Sequence, residues 1–364
     1  MVECVAHRGA SFWEPENSLA SVEAAVKLKA DYVEVDVRRC GDGSLVAFHD
    51  ATLERTTDGW GPLNRYSLQE LKAFTLGGGE RIPSLQEVLS LAAGRVKLIL
   101  EVKEPGTERQ ILEMVEAEGL LDDTVFSSFH HHVLPRIKQF NSKARTGIIV
   151  RGSLLNPVEA ARRAKAEYFF IDYRHLTLGL LSKLQEAGVK AAAWTVNSRE
   201  DVEALKSLNV GLIVSDRPEL VTGSSLHRPL RAYLAGPIQG MENKQDYREP
   251  LTSLLKARGF EVVDPWLREQ AYYRGASSRE EALKLVKRDL LDLKRCEFVV
   301  AFLPKVSAGV AVEIYQAKQL GKKVLLVSSL ENLSPWIYAH VDKVFPSLEK
   351  LEEFLEKERE WLKP

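Results

Sequence analysis

Glu34 and Asp36 stand two residues apart in DYVEVDVRRCGDGSLVAFHD, residues 31–50, and the same stretch ends in His49 and Asp50. The two-residue period of a strand puts both carboxylates on one face and Val33, Val35 and Val37 on the other. A Gly-Asp-Gly turn at 41–43 reverses the chain, and residues 44–48 read as a return strand that brings His49 back toward the acids. Glu101 and Lys103 repeat the i, i+2 spacing at the end of a later apolar run, and His7-Arg8 closes the first one. Three carboxylates in one mouth repel each other, so without a cation at least one should keep its proton at neutral pH. Oxygen ligands from Glu34, Asp36 and Glu101 suit a hard divalent ion, Mg2+, Ca2+ or Mn2+, better than zinc. His7 and His49 are then available for proton transfer, one as acid and one as base. Arg8 and Lys103 can hold an anion beside the ion. This combination suits cleavage of a phosphodiester.

The elements that must position these groups repeat. Apolar strands are expected at 2–6, 33–37, 96–102, 124–127, 144–150, 168–171, 189–195 and 211–215, with helical patterns such as 19–28, capped by Ser18, 156–164 and 198–208 between them. From the third strand on, the spacing is roughly twenty-two residues, the mark of repeated βα units. Eight units close most simply into a (β/α)8 TIM barrel, which builds its site at the carboxyl ends of the strands, where His7, Glu34, Asp36, Glu101, Lys103, Trp194 and Asp216 lie. An open doubly wound sheet is the alternative. Residues 51–83, with Gly77-Gly78-Gly79, are too long for a plain connection and read as an insertion over the mouth, a lid. Trp194 either packs in the core or lines the pocket. Asp216 is expected to cap the last loop, Asp172 only to end its strand, and His130 to His132 to form a solvated loop or helix start, since adjacent positions point in different directions.

The 364 residues allow about two domains, and 45% hydrophobic with 28% charged residues is an ordinary globular composition. A net charge of -1 argues against nucleic-acid binding through a broad basic surface. Three scattered cysteines fit a reducing compartment, and the lack of a signal-like start or a long apolar run predicts a cytoplasmic protein without integral membrane contact. Periodicity gives way at TGSSLHRPL, so the chain is expected to divide into a barrel at 1–222, a linker at 223–230 and a second domain at 231–364. In the second domain, strands at 231–235, 260–263, 298–303 and 323–327 alternate with helices at 248–258, 279–293, 310–320 and 348–362. This predicts a smaller Rossmann-like open sheet of about five strands.

Residues 1–222 resemble the glycerophosphodiester phosphodiesterase family. The likeness rests on His7-Arg8-Gly9, Pro15-Glu16-Asn17-Ser18, the strand 31–36, Asp42-Gly43, His49-Asp50, Leu53, Arg55-Thr56-Thr57 with Gly59, and Ile82-Pro83-Ser84-Leu85. It continues through Glu101 with Lys103, Ser127-Ser128-Phe129, Trp194-Thr195-Val196-Asn197 and Ser215-Asp216-Arg217-Pro218. The resemblance implies that Glu34, Asp36 and Glu101 bind the metal and that His7 and His49 are the acid/base pair. It also implies that a substrate glycerol hydroxyl attacks phosphorus to give a cyclic phosphate that water opens, releasing an alcohol and glycerol 3-phosphate.

In the second domain the turn after 231–235 carries Tyr233, Gly236 and Gly240, and Ser307-Ala308-Gly309-Val310-Ala311-Val312-Glu313 opens a helix after a strand. This part resembles the nucleoside 2-deoxyribosyltransferase superfamily, and in its Ser-x-Gly-x-x-x-Glu segment the deoxynucleoside 5'-monophosphate N-glycosidases. The likeness implies that Glu313 attacks the anomeric carbon and that Asp289 orients sugar hydroxyls or assists the leaving base. It also implies that Ser307 and Gly309 hold a 5'-phosphate, that Tyr233 and Gly236 line the pocket, and that the protein forms a homodimer. Two alternatives stand beside the diesterase: deoxynucleotide N-glycosidase as the main activity, and a non-catalytic sensor of a phosphate ligand.

Overall fold

The computed structural model describes residues 2–77, 79–226, 228–267 and 278–362, so Gly78 of the glycine run and His227 of the expected linker lie outside the described residues. The chain divides into two compact units, Met1–Leu226 and His227–Pro364. Among the described residues no helix is long and apolar enough to cross a membrane.

In the first unit, β1 (Glu3–Ala6), β2 (Tyr32–Arg39), β6 (Lys97–Val102), β7 (Thr124–Ser128), β8 (Arg145–Val150), β9 (Tyr168–Asp172), β10 (Lys190–Trp194) and β11 (Leu212–Ser215) pair in parallel, and β1 joins both β2 and β11 to close the ring. β3 (Leu45–Ala47) returns antiparallel along β2. The closed ring excludes the open-sheet alternative for this unit. Alternation sorts the side chains of each strand. Val33, Val35, Val37, Leu98, Leu100 and Val102 pack in the outer layer beneath the helices. Val5, Ile99, Val125, Phe170 and Leu212 fill the barrel interior. Glu34 and Asp36 therefore point inward on the strand whose outward face carries Val33, Val35 and Val37.

The insertion is more than a loose flap. It contains a hairpin of β4 (Thr75–Gly77) and β5 (Glu80–Arg81), and its Leu53, Leu63, Leu71, Leu76 and Ile82 pack with Cys40, Val46 and Phe48 into a separate buried cluster. The segment expected as a lid, residues 51–83, thus has its own core, which includes Val46 of β3.

The second unit is a five-stranded parallel sheet in the order β13-β12-β14-β15-β16, with β12 Arg231–Ala235, β13 Glu261–Val263, β14 Phe298–Phe302, β15 Lys323–Val327 and β16 Lys343–Phe345. Two apolar clusters cover its two faces. The order reverses between β12 and β14, so a ligand cleft is expected beyond the carboxyl ends of those two strands. The last helix is shorter than expected: Leu348–Lys357 ends at Glu358, and a 3-10 turn, Arg359–Leu362, completes the segment.

Candidate active site

The inward acids meet at the carboxyl end of the barrel. Glu34, Asp36 and Glu101 are all buried, and one oxygen from each lies within 4.8 Å of the others. That span is about twice a Ca–O bond of about 2.4 Å, so one cation can touch all three. Burial and the charge of Asp36 push Glu34 up to about 8 and raise Glu101 as well. This is the protonated carboxyl that crowded acids show when no cation joins them. Burial also works against the Asp36 carboxylate, yet Arg8, Lys103 and His49 hold it well below the usual range. Asp36 Oδ1 is buried without a hydrogen-bond donor, and the Lys103 ammonium stands 3.3 Å away. An all-oxygen set with one orphaned carboxylate oxygen fits a hard divalent ion.

Local backbone explains how the acids are held. Arg8 adopts φ 56° and Gly9 φ 80°, which turns the Arg8 N–H onto Glu34 Oε2 at 2.9 Å. A Cβ on Gly9 would lie 2.2 Å from Ser21 Oγ, so only glycine fits there. Asn17 locks Asp36 twice: its Nδ2 donates to Asp36 Oδ2 at 2.8 Å, and its Oδ1 accepts from the Asp36 N–H at 3.1 Å.

Each histidine is anchored by its own carboxylate. His7 Nδ1 lies 2.6 Å from Asp216 Oδ1, and His49 Nδ1 lies 2.6 Å from Asp50 Oδ1. Asp216 is itself held by Ser11 Oγ at 3.0 Å and Asn197 Nδ2 at 2.6 Å, so it does more than cap a loop. Arg55 links Asp50 to Glu16 with bonds of 2.5 and 2.7 Å, and Arg8 reaches Glu16 at 2.8 Å. With Nδ1 engaged, each ring keeps Nε2 for chemistry; His7 Nε2 is 4.0 Å from Glu34 Oε2. Burial opposes a charged His7, but the bond to Asp216 and the charge of Glu34 raise it overall. Burial lowers His49, with Arg8 and Lys103 adding to the effect.

A cleft opens over these groups. His7, Arg8, Glu34, His49 and Glu101 line its floor, and Phe129, Arg151, Phe170 and Trp194 line its wall. Trp194 thus belongs to the pocket, with its buried Nε1 lacking a hydrogen-bond partner. Arg8 and Lys103 are near but committed: Arg8 pairs with Glu16 and Asp36, and Lys103 with Glu101 at 2.7 Å and Asp36. Asp172 caps the following turn and pairs with Arg174, a structural role. His131 Nε2 contacts the Ile149 carbonyl, while His130 and His132 stay exposed. Sequence reasoning missed the supports Asp50, Arg55 and Glu16. The signal available was their clustering in the His49-Asp50, Arg55 and Glu16-Asn17 segments.

In the second unit, Tyr233 is fully buried and its hydroxyl donates to Glu313 Oε1 at 2.7 Å, so it touches Glu313 and does not line open space. Burial pushes Glu313 up to about 8, the Tyr233 bond opposes this, and Asp289 adds repulsion. Ser307 caps the helix Ala308–Gln319, accepting from the Val310 N–H, and Gly309 leaves the space beside it open. Gly236 has a different reason from the one expected. A Cβ there would stand 2.3 Å from the Tyr247 hydroxyl, so glycine makes room for that ring, and the Gly236 carbonyl accepts from Arg248.

Comparison with known proteins agrees with this geometry. Residues 7–220 match the model of the glycerophosphoryl diester phosphodiesterase family, and residues 232–343 match that of nucleoside 2-deoxyribosyltransferase. A glycerophosphodiester phosphodiesterase of Caldanaerobacter subterraneus is 33% identical over 228 residues, 59% of this chain and 94% of that protein. The structure of a phosphodiesterase from Oleispira antarctica, in complex with the product sn-glycerol-3-phosphate, is 29% identical. Its TM-score is 0.58, over 61% of this chain and 95% of that one. A glycerophosphodiester phosphodiesterase from Agrobacterium tumefaciens is similar at 26% identity and TM-score 0.56, over 61% of this chain and all of that one.

Proposed function

Because the chain belongs to the glycerophosphoryl diester phosphodiesterase family, we propose that its barrel hydrolyses glycerophosphodiesters by metal-dependent, two-histidine acid–base catalysis. The protein is an enzyme, a glycerophosphodiester phosphodiesterase; the metal and the division of labour among residues are the proposed parts. The observation that carries them is two histidines, each tied through Nδ1 to a carboxylate, facing a cluster of three buried acids across one cleft.

Glu34, Asp36 and Glu101 would hold a Mg2+, Ca2+ or Mn2+ ion, which would supply positive charge to the phosphate oxygens. Arg8, which lines the cleft, and Lys103, beside Asp36 and Glu101, would add positive charge next to the phosphate. One histidine takes the proton of the attacking glycerol hydroxyl at Nε2. The other gives its proton to the departing alkoxide, so the P–O bond to the alcohol breaks as the ring P–O bond forms. Water then opens the cyclic phosphate with the two histidines in reversed roles. The experiment is release of glycerol 3-phosphate from glycerophosphocholine and glycerophosphoethanolamine with each metal and with EDTA. Equal release with and without EDTA would remove the metal from the reaction.

Asp216 gives a further check. Asp216→Asn is expected to lower kcat about ten- to a hundredfold, because the His7 ring loses its anchor. It also lowers the pKa of His7, since the Asp216 hydrogen bond and charge raise it, so the pH–rate limb that belongs to His7 moves to lower pH. An unmoved profile would make Asp216 merely structural.

For the second unit we propose cleavage of the N-glycosidic bond of deoxynucleotides with Glu313 as nucleophile, favoured by the Tyr233–Glu313 hydrogen bond beside the β12/β14 reversal. The carboxylate is the attacking form, so activity should climb as pH rises through about 8. Tyr233→Phe removes a bond that favours the ionised form and should shift that limb to higher pH. Deoxynucleotide cleavage that survives Glu313→Ala would end this proposal.

A further inference from the structure

One cation of the barrel cleft has no part in the reaction above. Arg151 follows β8 and lines the cleft together with His7, Glu34, His49 and Glu101. Its guanidinium carbon stands 5.7 Å from the centroid of the Phe129 ring, and Phe129 meets Trp194 edge to face at 5.9 Å. A cation–π contact places the guanidinium over the ring without using its N–H donors. Arg8 and Lys103 are each paired with carboxylates, whereas among the described residues Arg151 has no hydrogen bond or ion pair.

Depth separates its role from theirs. Glu34 and Glu101 lie on the floor, each at most 8% exposed, while Arg151 is exposed and Phe129 beneath it is 38% exposed. A diester held at the floor by its phosphate would meet Arg151 only through the arm that projects outward. In the proposed reaction this is the alcohol beyond its leaving oxygen, because the glycerol folds back onto phosphorus to close the ring and stays at the floor. The positive charge of Arg151 over the Phe129 ring also repels a quaternary ammonium from that ring.

We infer that Arg151, held over the Phe129 ring, is a subsite for an anionic group on the alcohol arm, so that the enzyme prefers diesters whose alcohol bears a further phosphate or carboxylate. The inference rests on the barrel being the diesterase and goes beyond it to the class of alcohol.

The test compares kcat/KM of the full chain, with metal, for three diesters: glycerophosphocholine, glycerophosphoglycerol and glycerophosphoglycerol 3'-phosphate. Arg151→Gln should lower the value for the phosphorylated substrate about tenfold, the scale of a charge-assisted bond at a partly exposed site. It should leave glycerophosphoglycerol unchanged and raise glycerophosphocholine. Arg151→Lys, which keeps the charge without the planar fork of donors, should fall between. Arg151 is exposed and, among the described residues, has no hydrogen bond or ion pair, so neither variant should disturb folding. An equal loss on all three substrates would put the guanidinium on the scissile phosphate, and no change on any would make it a solvated side chain. Either result overturns the subsite. Failure of the unsubstituted protein to cleave any of the three would remove the diesterase reading, and the subsite with it.

Discussion

His49→Ala is expected to lower kcat for glycerophosphodiester hydrolysis by about 10² to 10⁴, the usual contribution of one general acid or base. The structure makes this a clean change. His49 Nδ1 is tied to Asp50, but Asp50 also accepts from Arg55 at 2.5 Å, so losing the ring leaves no unpaired carboxylate. His49 is outside the cluster of three acids, so metal binding should persist. KM should change little, because Arg8 and Lys103, which would hold the phosphate, stay in place. The measurement is steady-state release of glycerol 3-phosphate beside a metal titration followed by thermal denaturation. Full activity in the variant would remove His49 from the reaction. Lost activity together with lost metal binding would turn it from a proton carrier into a ligand.

How far the sequence could be followed depended on whether a signal repeats. Strand alternation is periodic, so Glu34 and Asp36 on the inward face of β2, with Val33, Val35 and Val37 outward, were legible from residues 31–37 alone. The return strand that delivers His49 was legible from its Gly-Asp-Gly turn. Contacts between distant short polar residues have no period: Asp216 reaches His7 from 209 residues away and looked like a loop cap. β16 was not located because it has three residues, two of them exposed, and so too little apolar pattern to stand out. Gly236 shows a different limit. That a glycine was needed could be read from the turn, but the reason is the Tyr247 ring, which only the folded chain brings there. Arg151 likewise carried no pattern, since nothing in one charged residue after a strand tells rim from floor.

Asp36→Ala should harm both stability and metal binding, and the two losses separate the structural from the catalytic part of the site. Asp36 is 1% exposed and faces Arg8 Nε at 3.2 Å, Lys103 Nζ at 3.3 Å and Asn17 Nδ2 at 2.8 Å. Removing it leaves two cations close together in a buried place with their shared anion gone, which costs about 3–5 kcal/mol. For a domain of this size that is a fall in Tm of roughly 6–20 °C. The sign of the pH dependence follows. Because the folded protein holds Asp36 below its ordinary value of 3.8, its stabilisation is present above that value and is lost as pH falls below it. The acid limb of the stability profile should therefore be shallower in the variant. In the unsubstituted protein, metal at a hundred times its Kd should add about 2.7 kcal/mol, reversed by EDTA, and the variant should lack this increment. A variant that loses stability yet keeps the metal increment would show that Asp36 holds Arg8 and Lys103 in place and that the ion, if one binds, is held without it.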